Sequence, residues 1–122
     1  MPKKSYDTVK IKSLDRAKVL NSLKKIARLI LKKNPNVEEI SLFGSVARGN
    51  YTGTSDADIL IVLKKDNRRF IDRISPYLES FLHAGIAVDV FPYTKKEIEQ
   101  MGAVNSLVKK IQDEKIVLVK RS

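Results

Sequence analysis

Three aspartates and a Gly-Ser pair are the residues best suited to chemistry in this 122-residue chain. Asp56 and Asp58 stand at the start of the apolar run "DADILIVL", and Asp89 interrupts the later apolar stretch "IAVDVFPY". Strand residues two apart project from one face with Cα atoms roughly 6.5 to 7 Å apart, so Asp56 and Asp58 are expected to share a site. Two adjacent carboxylates repel unless a cation lies between them, and hard cations such as Mg²⁺ take carboxylate and phosphate oxygens.

A third carboxylate would complete this site. If the strand that carries Asp89 neighbours the strand of Asp58 on the same face, the three aspartates converge. Three carboxylates suit a site with two metal ions roughly 3.5 to 4 Å apart, which serves phosphoryl or nucleotidyl transfer. Each has an ordinary alternative: Asp56 as a turn residue, Asp89 as the partner of a Lys or Arg. Asp58 is harder to explain in that way, because a carboxylate inside a buried strand needs a partner.

The Gly-Ser pair precedes the aspartates, with ten residues between Ser45 and Asp56. Gly44 lets the backbone approach a ligand closely, and the following "SVARG" is expected to form a short helix whose free N–H groups face an anion. A triphosphate tail fits this place, with the Ser45 hydroxyl donating to a phosphate oxygen. Arg48 has two open roles: it adds positive charge for the phosphates, or it braces the turn through an ion pair.

Composition excludes several classes of site. The chain has no cysteine and a single histidine, His83. Thiolate and multi-histidine metal sites are therefore excluded, and any metal must be held by oxygen. Ser45 has no base at hand for hydrolase chemistry, and Asn50 stands where a P-loop requires lysine.

Length and hydropathy favour one globular domain over residues 1–122, in which residues 1–12 form a basic arm. No apolar run approaches the roughly 18 to 20 residues that cross a bilayer, so no membrane contact is expected. The N-terminus lacks the apolar core of a secretory signal, which predicts a cytoplasmic location. The sequence leaves open whether the chain forms an oligomer.

Positive charge is concentrated at the N-terminal end. Residues 1–33 hold eleven Lys or Arg and two acidic residues, a net of +9, whereas the rest of the chain has a net of +1. Nucleotides, nucleic acid or an acidic partner surface would be attracted to this basic N-terminal helix. A simple solvated face is an equally good interpretation.

Periodicity and turn residues predict an α/β fold of the α+β type, with a mixed, partly antiparallel sheet of about four strands covered by helices. The second strand should be central, and the strands on either side of residues 44–55 should be antiparallel. Phe91 and Tyr93 are expected in the core and at a strand end. The predicted elements are a helix from a Ser13 cap to Lys33, a strand at 37–43, a strand at 56–63, a helix at 66–83 that Pro76 would kink or split, a strand at 86–93, a short helix from a Thr94–Glu97 capping box to Met101, a helix at 103–113 and a strand at 115–119.

The string "LFGSVARG", followed by "SDADILIV" and the lone strand residue Asp89, resembles the signature of the nucleotidyltransferase superfamily that includes DNA polymerase beta. It is similar in particular to the minimal nucleotidyltransferases, small proteins often paired with a HEPN-domain protein in toxin-antitoxin systems. This resemblance implies that Asp56 and Asp58 hold two Mg²⁺ ions and that Asp89 holds the metal nearer the acceptor and helps to activate its hydroxyl. It also implies that Gly44 and Ser45 bind the β- and γ-phosphates of ATP.

The resemblance leads to a functional expectation. The chain is expected to transfer AMP from ATP to a tyrosine of a HEPN-domain toxin, with release of pyrophosphate, and so to act as an antitoxin. Relatives that modify antibiotics or RNA ends carry an additional acceptor domain, which is not expected in this chain. Two alternatives stay open: a module of the same fold that binds a partner or nucleic acid without catalysis, and transfer to a small molecule or an RNA end.

Overall fold

A computed structural model describes residues 15–49 and 56–122. Within these residues the chain forms five helices and four strands, which alternate except that the last two helices follow each other. The helices are α1 (Arg16–Lys33), α2 (Gly44–Arg48), α3 (Phe70–Ser80), α4 (Lys95–Gly102) and α5 (Ser106–Glu114). The strands are β1 (Val37–Phe43), β2 (Ala57–Leu63), β3 (Val88–Thr94) and β4 (Ile116–Lys120).

The four strands form one mixed sheet in the order β3-β2-β1-β4. β1 pairs with β2 and with β4 in antiparallel fashion, and β2 pairs with β3 in parallel. The predicted antiparallel pairing of β1 with β2 and the central place of β2 are therefore confirmed. The mixed sheet with its helices also confirms the predicted fold class.

The two faces of the sheet carry different layers. On the first face, Ile59 and Ile61 of β2 are fully buried in one apolar cluster with the apolar side of α1. On the second face, Leu60 and Val62 pack with Ile98 and with residues of α4 and α5. Because strand residues alternate, Asp58 lies on this second face, two residues before Leu60.

Several predicted boundaries are wrong by a few residues, and local hydrogen bonds explain two of them. α1 begins at Arg16 because the Asp15 carboxylate caps it, accepting from the Ala17 N–H at 2.9 Å. The predicted cap, Ser13, lies outside the described residues. α3 begins at Phe70 rather than at residue 66 because the Asp66 carboxylate holds the Arg68 N–H at 2.9 Å in a turn.

The remaining differences are small. Pro76 lies inside α3, which stays one helix. β3 begins and ends later than predicted, at Val88 and Thr94, and β2 begins at Ala57, so that Asp56 is just outside the strand. The last helix, capped by Asn105, also begins later than predicted. The Thr94–Glu97 capping box is confirmed, with both hydrogen bonds present.

A buried arginine joins α3 to the edge strand β3. The Arg73 guanidinium donates to the Glu97 carboxylate at 2.7 and 3.1 Å and to the Pro92 carbonyl at 3.1 Å. Its side chain is only 4% exposed. This network therefore fixes α3, β3 and the start of α4 relative to one another.

In the part of the chain that the structure describes, every helix falls short of the length and apolar character that a bilayer crossing requires.

Candidate active site

Asp58 and Asp89 are direct neighbours across the parallel pair of strands. The register of β2 with β3 pairs Asp58 with Asp89, and the register of β1 with β2 pairs Phe43 with Asp58. Directly paired residues in adjacent strands project from the same face of a sheet. The two aspartates therefore share the second face, as the sequence predicted for strands that neighbour each other.

The electrostatics of Asp58 reflect this crowding. Burial raises the pKa of the Asp58 carboxyl, the nearby charges of Asp89 and Asp56 raise it further, and the Arg48 guanidinium lowers it in part. Asp89 itself is exposed. Asp58 is therefore a half-buried carboxylate whose charge is disfavoured by two like charges, which is the situation that a bound cation relieves.

Asp56 lies just outside β2, and the expected set of metal ligands is not closed within the described residues. Asp56 is exposed and precedes the first residue of β2, so its side chain is not fixed by strand geometry. Among residues 15–49 and 56–122, no group of three or more His, Cys, Asp or Glu side chains lies close enough to hold a metal ion. The three aspartates thus influence one another electrostatically but do not form a closed set of ligands by themselves.

Gly44 lies against the Asp58 carboxylate. Its φ is +81°, in the left-handed region that favours glycine. A Cβ atom built on Gly44 would overlap Asp58 Oδ2 and would lie 3.3 Å from Asp58 Cγ. A side chain at position 44 would therefore be strained by the backbone conformation and would displace the carboxylate.

The short helix α2 follows Gly44, as predicted. It spans five residues, its N-cap Phe43 makes no side-chain cap hydrogen bond, and its first turn contains no acidic residue. Ser45, in this first turn, is half-buried. Unpaired N–H groups at a helix N-terminus attract anions, so the turn presents suitable chemistry beside two carboxylates.

Arg48 forms an ion pair with an element far along the chain. Its Nη1 lies 3.6 Å from Glu114 Oε2 of α5, and both side chains are about a third or more exposed, at 42% and 34%. This ion pair links α2 to α5. Because its charge also acts on Asp58, Arg48 stands beside the carboxylate site.

A cavity of about 340 Å³ opens next to the carboxylates on the same face of the sheet. The rings of Phe43 and Phe91 lie 5.3 Å apart in its lining. Phe43 is the register partner of Asp58, and Phe91 follows Asp89 by two residues in β3. Gly44, Arg48 and Tyr93 contribute to its lining, together with Leu60, Met101, Asn105, Leu107, Val108, Lys110, Ile111 and Glu114. Its volume is within the usual range for small-molecule pockets, and its walls are largely apolar.

The sequence did not identify this cavity. We expect Phe91 and Tyr93 in the core and at a strand end; both pack against the apolar cluster of the second face, Tyr93 is next to the last residue of β3, and both also line the cavity. A signal was present in the alternation, since Phe91 stands two residues after Asp89 and must share its face. The covering helices, however, come from residues far along the chain, and their position is not readable from local spacing.

The basic side of α1 lies away from this site. α1 packs on the first face of the sheet, opposite to Asp58, and it exposes Lys18, Lys25, Arg28, Lys32 and Lys33. A polyanion bound there would be separated from the carboxylates by the sheet. Nucleic acid binding through this helix thus stays a prediction that is independent of the candidate active site.

Comparisons with known proteins identify the family of this chain. Residues 23–118 match the family described as the nucleotidyltransferase domain. Two proteins of Methanocaldococcus jannaschii, each named "putative protein adenylyltransferase", are 38% identical over 97 residues and 39% identical over 88 residues. The matches cover 68% of this chain and 94% or 96% of those relatives.

Solved structures share the fold. A crystal structure of "a putative nucleotidyltransferase from Sulfolobus solfataricus" superposes with a TM-score of 0.64 at 29% identity, covering 87% of this chain and 84% of the other. A crystal structure of a toxin-antitoxin with AMP-PNP superposes with a TM-score of 0.53 at 21% identity, covering 84% and 75%. At that identity the second likeness shows the fold alone. The family match and the identity to the relatives carry the assignment: this chain belongs to the nucleotidyltransferase domain family, a family of enzymes.

Proposed function

We propose that this chain is a divalent-cation-dependent adenylyltransferase that moves AMP from ATP to a hydroxyl group of a partner protein. The observation that carries the proposal is the direct pairing of Asp58 with Asp89 on one face, with Gly44 against the Asp58 carboxylate. Relatives named as protein adenylyltransferases support the choice of AMP and of a protein acceptor.

The donor chemistry fits a hard cation. Asp56, Asp58 and Asp89 would hold Mg²⁺, in two positions as the resemblance implies, because carboxylate oxygens are the ligands that such ions prefer. The raised pKa of Asp58 fits this role, since a cation would remove the repulsion from Asp89 and Asp56. Phosphate oxygens of the nucleotide would complete the ligand shell. When bound, the ions neutralise phosphate charge and make an acceptor hydroxyl more acidic.

The chain's own residues would hold the nucleotide on both sides of the reacting phosphorus. The Gly44–Ser45 turn would receive the β- and γ-phosphates, with the Ser45 hydroxyl and the first N–H groups of α2 as donors. Arg48 would add positive charge beside them. The apolar cavity beside Phe43 and Phe91 would receive the nucleoside, since aromatic rings and apolar walls suit a flat base.

The reaction then needs a hydroxyl acceptor. The acceptor oxygen attacks the α-phosphorus of ATP, the bond from that phosphorus to the α,β-bridging oxygen breaks, and pyrophosphate leaves. The acceptor proton passes to a carboxylate, for which exposed Asp89 is the candidate because it is on the open side of Asp58. We propose a tyrosine of a HEPN-domain toxin as this acceptor, and the modification would neutralise that toxin.

The test is a transfer assay with ATP labelled at the α-phosphate, Mg²⁺ and a HEPN-domain protein encoded beside the chain. We expect label on a tyrosine of the partner, loss of label with EDTA, and at least a hundredfold loss for Asp58→Asn. Asp113→Asn is the matched control, because Asp113 is an exposed aspartate of α5 outside the carboxylate site. Equal transfer by the Asp58→Asn and Asp113→Asn proteins would refute the proposed active site.

A cell-protection assay separates catalysis from simple binding. If the parent chain protects cells from the partner and the Asp58→Asn protein does not, neutralisation requires the chemistry. Protection by Asp58→Asn equal to that of the parent would show that the chain neutralises its partner by binding alone.

A further inference from the structure

Arg16 joins the first helix to the Gly-Ser turn. It is the first residue of α1, and its guanidinium donates from Nε to the Val46 carbonyl at 3.0 Å and from Nη2 to the Ala47 carbonyl at 2.8 Å. These contacts span 30 and 31 residues of sequence. The guanidinium of Arg16 thus donates hydrogen bonds to two consecutive carbonyls of α2.

The helix that Arg16 holds is too short to be stable by itself. α2 has five residues, whereas isolated helices need about 12 to 15 residues to be even marginally stable in water. Its last carbonyls carry the negative end of the helix dipole, and besides Arg16 the Val46 carbonyl accepts from the Gly49 N–H at 3.3 Å. A guanidinium on those carbonyls supplies both hydrogen bonds and favourable charge.

Other contacts do not replace this one. The buried side chains of Val46 and Ala47 hold α2 to the core, but apolar packing gives little directional control over the backbone. The ion pair of Arg48 with Glu114 is partly exposed and 3.6 Å long, so it contributes little. Arg16 is the described contact that fixes the direction in which the Gly44–Ser45 end of α2 points.

We propose that Arg16 is a positioning residue for nucleotide binding: by holding the C-terminal carbonyls of α2, it sets the Gly44–Ser45 turn beside Asp58 for the phosphates. The inference rests on the proposed function, in which that turn receives the β- and γ-phosphates. Arg16 lies at the opposite end of α2 from the phosphates and acts through the helix, not by touching the nucleotide.

The variants are chosen to separate position from charge. Arg16→Gln removes the fork and the charge, Arg16→Lys keeps the charge with a single point donor, and Lys18→Gln removes the same charge from an exposed place on α1 two residues away. We expect Arg16→Gln to weaken binding of AMP-PNP with Mg²⁺ on the order of tenfold, because the loss of both charge-assisted hydrogen bonds leaves the turn less well positioned for the phosphates. Arg16→Lys should recover part of this loss, and Lys18→Gln should bind as the parent does.

Hydrogen exchange provides a readout that does not depend on nucleotide. Amides of residues 44–49 should exchange at least tenfold faster in Arg16→Gln than in the parent and in Lys18→Gln, while the middle of α1 should be unchanged. Unchanged exchange at residues 44–49 in Arg16→Gln would overturn the proposal, and so would equal loss of binding in Lys18→Gln.

The two proposals fail in different ways. If the parent binds no AMP-PNP with Mg²⁺, the proposed function is wrong and the nucleotide role of Arg16 falls with it, whereas its hold on α2 is still judged by exchange. If the parent binds AMP-PNP and Arg16→Gln binds it equally well, the proposed function stands and the role of Arg16 is refuted.

Discussion

Replacing Gly44 with alanine isolates the close approach between the turn and Asp58. Three described glycines share the same left-handed conformation, with φ values of +81° at Gly44, +82° at Gly49 and +84° at Gly85. A Cβ atom at Gly49 or Gly85 would meet nothing within 4 Å, whereas at Gly44 it would overlap Asp58 Oδ2. The three alanine variants therefore bear the same backbone penalty, and only one of them also displaces the carboxylate.

Two effects set the expected losses of stability and activity: the left-handed backbone conformation and the overlap with Asp58. The left-handed conformation costs alanine about 1 to 2 kcal/mol, which lowers the melting temperature by roughly 3 to 10 °C for a chain of this size. The overlap at Gly44 adds little to this loss of stability, because the end of a flexible side chain can swing away. Its effect on catalysis is larger, since misplacing a reacting group by about 1 Å can cost on the order of a hundredfold in rate.

The assay measures transfer of AMP beside thermal unfolding for Gly44→Ala, Gly49→Ala and Gly85→Ala. We expect similar melting temperatures for all three, a loss of at least about a hundredfold in kcat/KM for Gly44→Ala, and activity within about threefold of the parent for Gly85→Ala. Gly49→Ala, at the C-terminal end of α2, reports any effect of disturbing that helix alone. Activity of Gly44→Ala within about threefold of Gly85→Ala would refute the role of the Gly44–Asp58 contact.

Three other perturbations test the carboxylates, a buried ion pair and the cavity. The pKa of Asp58 is raised in the folded chain, so ionisation of Asp58 destabilises the fold as pH rises above about 4. Asp58→Asn should therefore have a higher melting temperature than the parent at pH 7, and this difference should disappear in acid. Mg²⁺ with ATP should no longer stabilise the Asp58→Asn protein. Burial alone would raise the pKa of Glu39, but the hydrogen bonds from Lys115 and Ser41 lower it. The Lys115–Glu39 ion pair therefore stabilises the fold above about pH 4.5 and stabilises it less in acid. Lys115→Met should lower the free energy of unfolding in denaturant by about 3 kcal/mol at pH 7 and by less at pH 3. Phe91→Ala should weaken AMP-PNP binding about tenfold by calorimetry, whereas Leu29→Ala, 56% exposed on α1, should not change it.

Local pattern was sufficient to predict much of the sheet and the neighbouring aspartates. The alternation around Asp58 and Asp89 places each on a definite face of its strand, because a strand has a period of two residues. The apolar run from Ile59 to Leu63 indicated a strand that is covered on both sides, and β2 is central. These inferences depend only on residues within one element or on the length of one connection.

Features that depend on contacts between distant residues could not be predicted in this way. The partner of buried Arg73 is Glu97, which lies 24 positions further along the chain. The partner of Arg48 is Glu114, which is brought near by the packing of α5. The cavity and the hold of Arg16 on α2 likewise join residues that are 30 or more positions apart, for which a single sequence has no local signal.

The arginine network at β3 limits how a protein acceptor could approach the site. β3 is an edge strand of the sheet, and an edge strand ordinarily offers its backbone for pairing with a strand of another chain. In β3, Pro92 has no N–H to donate, and its carbonyl already accepts from buried Arg73. Strand addition at Pro92 is therefore blocked, and in the proposed reaction an acceptor protein could not pair along the whole length of β3.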